Sequence, residues 1–129
     1  MHLAALTHLT IAAQTISACD RVIVLGSAAL LASLPGLAGA DGPLELTRDA
    51  DLLLLPSDEA LAALVHEALG EGSLFDARFG YHVDVLRPEI CQSLPVGWES
   101  RLLEVPGSPA LALPARHQRH WRLPPDTPS

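Results

Sequence analysis

A chain of 129 residues with a net charge of −7 has the length of one domain and is poorly suited to non-specific binding of a nucleic-acid backbone. DNA is therefore not an expected partner. All of the basic residues are Arg, so a P-loop lysine and a lysine nucleophile are both excluded. The apolar fraction of 49% is ample for a core, yet no stretch is long enough to span a membrane.

The cysteine content and the N-terminus indicate a compartment. Cys19 and Cys91 are too few for a disulfide framework or a Cys-based zinc site. We interpret both as reduced core thiols of a cytoplasmic protein. The N-terminus has no basic region before its apolar residues, so a secretory signal is not expected.

The first half of the chain reads as helix, strand, helix, loop and strand. Apolar periodicity predicts a helix over residues 3–18 that packs on a sheet, followed by a strand over 22–25. A second helix is predicted over 27–34. A Gly- and Pro-rich loop over 36–48 leads to a second strand over 50–55, whose continuous leucines predict burial on both faces.

The second half begins with a third helix. Ser57 is its predicted N-cap, and Gly70 is predicted to end it. A third strand is expected over 80–87, and two further strands over 101–105 and 110–113. The amphipathic stripe of the helix consists of Leu61, Leu64, Val65, Ala68 and Leu69.

Two acids stand at the start of the second strand. Asp49 and Asp51 alternate with Ala50, so on a strand they project to the same side. Adjacent carboxylates repel one another and raise each other's pKa unless a cation lies between them. Such hard oxygen ligands suit Mg²⁺, which typically binds one or two carboxylates together with substrate phosphates. A solvated strand end is the alternative reading of the pair.

A glycine and a serine follow the first strand. Gly26 would let a phosphate approach the backbone, and Ser27 stands where the next helix begins, so its first-turn N–H groups would favour an anion. The alternative is a plain strand-to-helix turn with the same geometry. Because Gly26 ends one strand and Asp49 begins the next, a shared ligand requires the two strands to run antiparallel.

Three more polar residues are candidates for the site. Asp84 stands within an otherwise apolar strand, where a lone acid is costly unless it is paired or bound to metal. An edge-strand position is its alternative. His82 shares the face of Asp84 and is interpreted as a structural histidine. Arg48 is a candidate either for contacting phosphate or for neutralising its acidic neighbours.

Gly26-Ser27, Asp49-x-Asp51 and the later strand acid Asp84 resemble the nucleotidyltransferase superfamily of DNA polymerase beta and the small bacterial nucleotidyltransferases. The chain is similar to an uncharacterised bacterial branch related to toxin and antitoxin nucleotidyltransferases, over roughly residues 3–105. The segments that carry the resemblance are Val24-Leu-Gly-Ser-Ala-Ala-Leu-Leu-Ala, Thr47-Arg-Asp-Ala-Asp-Leu, Leu69-Gly-Glu-Gly-Ser-Leu-Phe, Phe79-Gly-Tyr-His-Val-Asp84 and Leu94-Pro-Val-Gly-Trp-Glu-Ser-Arg-Leu.

The resemblance implies an α/β (α+β) fold with a small mixed β-sheet and helices packed against it, over residues 1–113. It implies that Asp49, Asp51 and Asp84 hold Mg²⁺ or Mn²⁺ and are catalytic. Gly26, Ser27 and Arg48 would then bind a nucleoside triphosphate such as ATP. The implied reaction is two-metal transfer of a nucleotide to a hydroxyl of a protein or RNA. A cognate toxin or antitoxin is an implied partner.

The C-terminal end departs from the resemblance. Relatives continue into helices that complete the nucleotide or acceptor pocket, whereas here Ala110-Leu-Ala-Leu-Pro-Ala-Arg-His occupies that position. Residues 114–129 form a Pro- and Arg-rich tail that we expect to be poorly ordered; RNA binding through its Arg and Trp is the alternative. A catalytically weak nucleotide-binding or interaction module of a toxin–antitoxin-like pair is therefore the second functional reading.

Overall fold

Five strands form one mixed sheet in the computed structural model, which describes residues 1–33 and 48–113. The sheet order is β3-β2-β1-β5-β4. The strands are β1 (Arg21–Leu25), β2 (Asp49–Leu55), β3 (His82–Val85), β4 (Leu103–Glu104) and β5 (Leu111–Ala112). The helices are α1 (Leu3–Ser17), α2 (Leu30–Ser33), α3 (Glu59–Leu69) and α4 (Leu74–Phe79). The mixed α+β fold predicted from the sequence is thus confirmed.

The sheet contains both antiparallel and parallel strand pairs. β1 and β2 are antiparallel, as predicted, with Leu25 opposite Asp51. β2 and β3 are parallel, and the chain between them makes the required crossover through α3 and α4. β5 is parallel to β1 and antiparallel to β4. The sheet therefore places the start of β2 between the end of β1 and the start of β3.

Both faces of the central strands are buried. Leu52, Leu53 and Leu54 are each 0% exposed, so the predicted two-sided burial of β2 is confirmed. One face packs against α1 and α3, and the other against residues 90–102. The first core includes Leu6, Leu9, Val22, Val24, Leu52, Leu54, Val65, Leu69 and Val83. The second consists of Ile23, Leu25, Leu53, Leu94, Trp98 and Leu113.

The start of α3 differs from the sequence prediction. Asp58, not Ser57, is the N-cap, and its carboxylate accepts a hydrogen bond from the Leu61 amide at 2.8 Å. The Ser57 hydroxyl donates to the Asp58 carbonyl instead. Both residue types cap helices well, so the sequence alone did not choose between neighbours. Gly70 ends the helix as predicted.

Helix α4 was not predicted. It has only six residues, too few for apolar periodicity to stand out, and begins at a Ser73 cap that accepts a hydrogen bond from the Asp76 amide. Its aromatic residues pack against His8 of α1, and His8 Nδ1 lies 2.8 Å from the Tyr81 hydroxyl. These contacts connect α4 to α1 and fix the entry into β3.

Several other elements begin or end at residues that differ from the predicted ones. The third strand covers His82–Val85 rather than 80–87, and the last two strands have two residues each. The predicted helix at 27–34 is a 3₁₀ turn, Ser27–Ala29, followed by the short α2. The predicted loop at 36–48 and the tail at 114–129 lie outside the described residues, apart from Arg48. No helix in the described part of the chain has both the length and the apolar character needed to cross a membrane.

Candidate metal and phosphate site

Asp49 and Asp51 lie at the beginning of β2, where alternation points both side chains away from α1 and α3. The intervening Ala50 and the following Leu52 are buried in the core on the helical face. Asp49 and Asp51 are half-buried on the opposite face. The strand period alone therefore brings these two carboxylates to one side, as the sequence predicted.

Asp84 joins them from the neighbouring strand. The parallel register places Asp84 opposite Asp51 and His82 opposite Asp49. One carboxylate oxygen from each of Asp49, Asp51 and Asp84 lies within 4.8 Å of the others. The predicted convergence of the three side chains is confirmed, and their binding of a metal stays a prediction. We call these three residues the acidic cluster.

The cluster is electrostatically costly without a cation. Burial raises the pKa of Asp51 to about 6, and the charges of Asp49 and then Asp84 add to the shift. Burial also raises the pKa of Asp84, as does the adjacent Asp49 carboxyl, while His82 opposes the rise. Burial makes the largest contribution to the raised pKa of both residues. Three oxygen donors that repel one another in a partly desolvated site match the needs of a hard divalent cation.

Gly26 borders the acidic cluster on the β1 side. Its backbone has φ +72°, a conformation that favours glycine, and a β-carbon built there would lie 2.5 Å from Asp51 Oδ2. The exposed Ser27 follows and begins the 3₁₀ turn, in which the Ala29 amide donates to the Gly26 carbonyl at 3.2 Å. The absence of a side chain at Gly26 thus lets the Asp51 carboxylate lie directly against the backbone at this position.

Arg48 and His82 lie at the rim. The Arg48 guanidinium donates to the Gly80 carbonyl at 3.2 Å and is exposed to solvent. His82 Nδ1 lies 3.4 Å from Asp76 Oδ1 of α4. The contact between Arg48 and Gly80 does not test the predicted binding of phosphate by Arg48. The structural interpretation of His82 agrees with its half-buried position beside α4.

A cavity of about 540 Å³ lies on the β3 side of the acidic cluster. Its walls combine Asp51 and Asp84 with residues of α3 and the end of β3: Ala62, Ala63, His66, Val85 and Leu86. Sequence reasoning missed the α3 residues. No motif marks them, because only the packing of α3 beside β3 brings them next to the acids.

Comparison with known proteins gives no assignment: the chain matches no family model, no curated protein and no solved structure. The resemblance to nucleotidyltransferases therefore stays a prediction from the motif residues of the sequence.

Acidification should stabilise the metal-free fold at this site. The pKa of Asp51 rises from its ordinary value of 3.8 to about 6 in the folded state. Between about pH 4 and pH 6 the folded state therefore binds more protons than the unfolded state. Stability should then rise as the pH falls through 6 and level off below about 4. Asp51→Asn should raise the thermal midpoint at pH 7 by several degrees, and this gain should shrink by pH 5.

Thermal unfolding in a metal chelator at both pH values measures this gain. Asp20→Asn, at an exposed turn outside the acidic cluster, is the matched control and should show no such dependence. A gain from Asp51→Asn that is the same at pH 7 and pH 5 would contradict the assignment.

Proposed function

We propose that this protein is a metal-dependent nucleotidyltransferase that moves a nucleotide from a nucleoside triphosphate to a hydroxyl of a protein or RNA. The observation that carries the proposal is the acidic cluster, with three carboxylate oxygens within 4.8 Å at the junction of β2 and β3. Gly26 beside Asp51 supports it, because a residue with a side chain at this position would push the Asp51 carboxylate out of the acidic cluster.

The chain's own groups have distinct parts in the proposed reaction. Asp49 and Asp51 bind the metal that accompanies the triphosphate, and Asp84 faces them from β3. A divalent cation held there, Mg²⁺ or Mn²⁺, would supply Lewis-acid polarisation of the phosphoryl oxygens. Gly26 and Ser27 border the triphosphate. Arg48 would have to leave the Gly80 carbonyl to reach a phosphate.

The reaction itself is a displacement at the α-phosphorus. The acceptor hydroxyl oxygen forms a bond to this phosphorus, and the bond to the bridging oxygen of the β-phosphate breaks. Pyrophosphate departs with that electron pair. The hydroxyl proton passes to a carboxylate of the site or to water. Because triphosphates are cytoplasmic metabolites, we place the protein in the cytoplasm, and a cognate toxin or antitoxin is a candidate partner.

Calorimetry with ATP, with and without Mg²⁺, tests the binding step. We expect ATP binding to require Mg²⁺ or Mn²⁺, and the metal alone to bind weakly, because the two carboxylates of Asp49 and Asp51 leave most of its coordination shell to water and phosphate. Asp51→Asn should lose the gain in ATP affinity that the metal provides, and Asp20→Asn should retain that gain. Equal affinity for ATP in the presence and absence of metal would rule out the proposed site.

Metal-dependent release of pyrophosphate separates an enzyme from a binding module. Labelled triphosphates should be incubated with the protein, alone and with the product of the neighbouring gene, and the transfer of label followed. Binding without transfer under both conditions would assign the chain to the catalytically weak module of a toxin–antitoxin-like pair.

A further inference from the structure

The free side of β3 carries a continuous groove. The cavity beside the acidic cluster adjoins a second cavity of about 460 Å³, and both are lined by Ala62, Val85 and Leu86. The second cavity extends away from the acids, between the start of α3 and the segment that follows β3. We call the two cavities together the β3 groove.

The groove lies on the opposite side of the acidic cluster from Gly26. Leu25, which precedes Gly26, pairs with Asp51 from β1, whereas Asp84 pairs with Asp51 from β3. A triphosphate beside Gly26 would therefore leave the β3 side of the acids open to a second substrate. β3 is an edge strand, so no further strand of the described sheet covers that side.

Acids dominate the outer part of the groove. Asp58, Glu59 and Glu89 line it together with a single base, Arg87. Glu59 and Glu89 are exposed, and neither forms an ion pair or a side-chain hydrogen bond within residues 1–33 and 48–113. Their charges are available to a ligand, and at the inner end Asp51 and Asp84 add to the negative potential. An RNA backbone would be repelled along this path.

We infer that the acceptor is a polypeptide, and that a basic, extended segment of it lies in the β3 groove and presents a hydroxyl to the acidic cluster. Arg or Lys side chains would lay their aliphatic stems on Ala62, Val85 and Leu86 and direct their charges to Glu59 and Glu89. The inference rests on the proposed function, of which it specifies the acceptor class, and it accounts for a groove that the triphosphate does not need.

Fluorescence anisotropy without nucleotide tests the inference. The probes are a short labelled peptide that alternates Arg and Ser, the same peptide with Gln in place of Arg, and an RNA oligonucleotide of equal length. The Arg peptide should bind best. The double variant Glu59→Gln/Glu89→Gln should weaken its binding at least about fivefold, since two exposed charge pairs are lost. Asp58 is left intact because it caps α3.

The matched control is Glu67→Gln/Glu104→Gln, which removes the same number of charges as the groove variant. Neither residue lines either cavity, and Glu104 lies on β4, at the opposite edge of the sheet. It should bind the Arg peptide nearly as the unmodified protein does. Equal weakening by both double variants, equal binding of the Gln peptide, or tighter binding of the RNA would each overturn the inference.

Calorimetry with ATP and Mg²⁺ keeps this test separate from the test of the proposed function. The groove variant should bind ATP as the unmodified protein does, because Glu59 and Glu89 lie outside the acidic cluster. If ATP fails to bind the unmodified protein but the Arg peptide binds in the groove, the nucleotidyltransferase assignment falls and the peptide groove stands. If ATP binds in a metal-dependent way and no peptide binds selectively, the peptide groove falls and the nucleotidyltransferase assignment stands.

Discussion

Gly26→Val is expected to abolish ATP binding and to destabilise the fold by about 1–3 kcal/mol. Two causes act together. Valine at φ +72° adopts a strained backbone, and its β-carbon would lie 2.5 Å from Asp51 Oδ2, so the carboxylate must move out of the acidic cluster. The added side chain would also occupy the space proposed for phosphate. Calorimetry with ATP and Mg²⁺ measures the first effect, and chemical denaturation the second.

Gly72→Val separates the two causes. Gly72 has φ +84°, but a β-carbon there meets no atom within 4 Å. This variant should therefore suffer comparable backbone strain while ATP binding is retained. Circular dichroism must show that both variants are folded. A folded Gly26→Val protein that binds ATP normally would show that phosphate does not lie beside Gly26.

Asp84→Asn is expected to separate binding from catalysis. Asp49, Asp51 and Gly26 remain to hold the metal–triphosphate, so ATP affinity should change little. Nucleotide transfer should fall by about 10²–10⁴-fold, because the acceptor hydroxyl loses the carboxylate that faces it from β3. Without metal the variant should melt at a higher temperature. Burial and the neighbouring Asp49 raise the pKa of Asp84, which means that its charge is unfavourable in the folded state, and Asn removes that charge.

Asp20→Asn, the same chemical change at an exposed turn, controls for the loss of charge. Transfer should be followed by label incorporation and pyrophosphate release, and ATP binding by calorimetry. If Asp84→Asn retains full transfer activity, Asp84 is not part of the catalytic machinery. If it loses ATP binding and transfer together, Asp84 belongs to the triphosphate site instead.

Local patterns determined much of the fold and two of the three residues of the acidic cluster. The leucine run of β2 required burial on both faces, and the two-residue period of a strand placed Asp49 and Asp51 together whatever lay around them. Gly26 marked a close approach that only a residue without a side chain permits. These features depend on neighbours in the chain, so the sequence contains their cause.

Tertiary structure decided the rest. The parallel register of β2 and β3 places Asp84 opposite Asp51. The motif resemblance predicted that these side chains lie together, but it did not predict the register. The choice of Asp58 over Ser57 as the N-cap of α3 was visible only in the structure. The short α4 packs its aromatic residues against His8 of α1, a contact that its own six residues do not reveal. The raised pKa of Asp51 and the β3 groove exist only because α3 and β3 come together in space. Burial and charge at these positions are sums over residues distant in the chain, and no local pattern encodes such a sum.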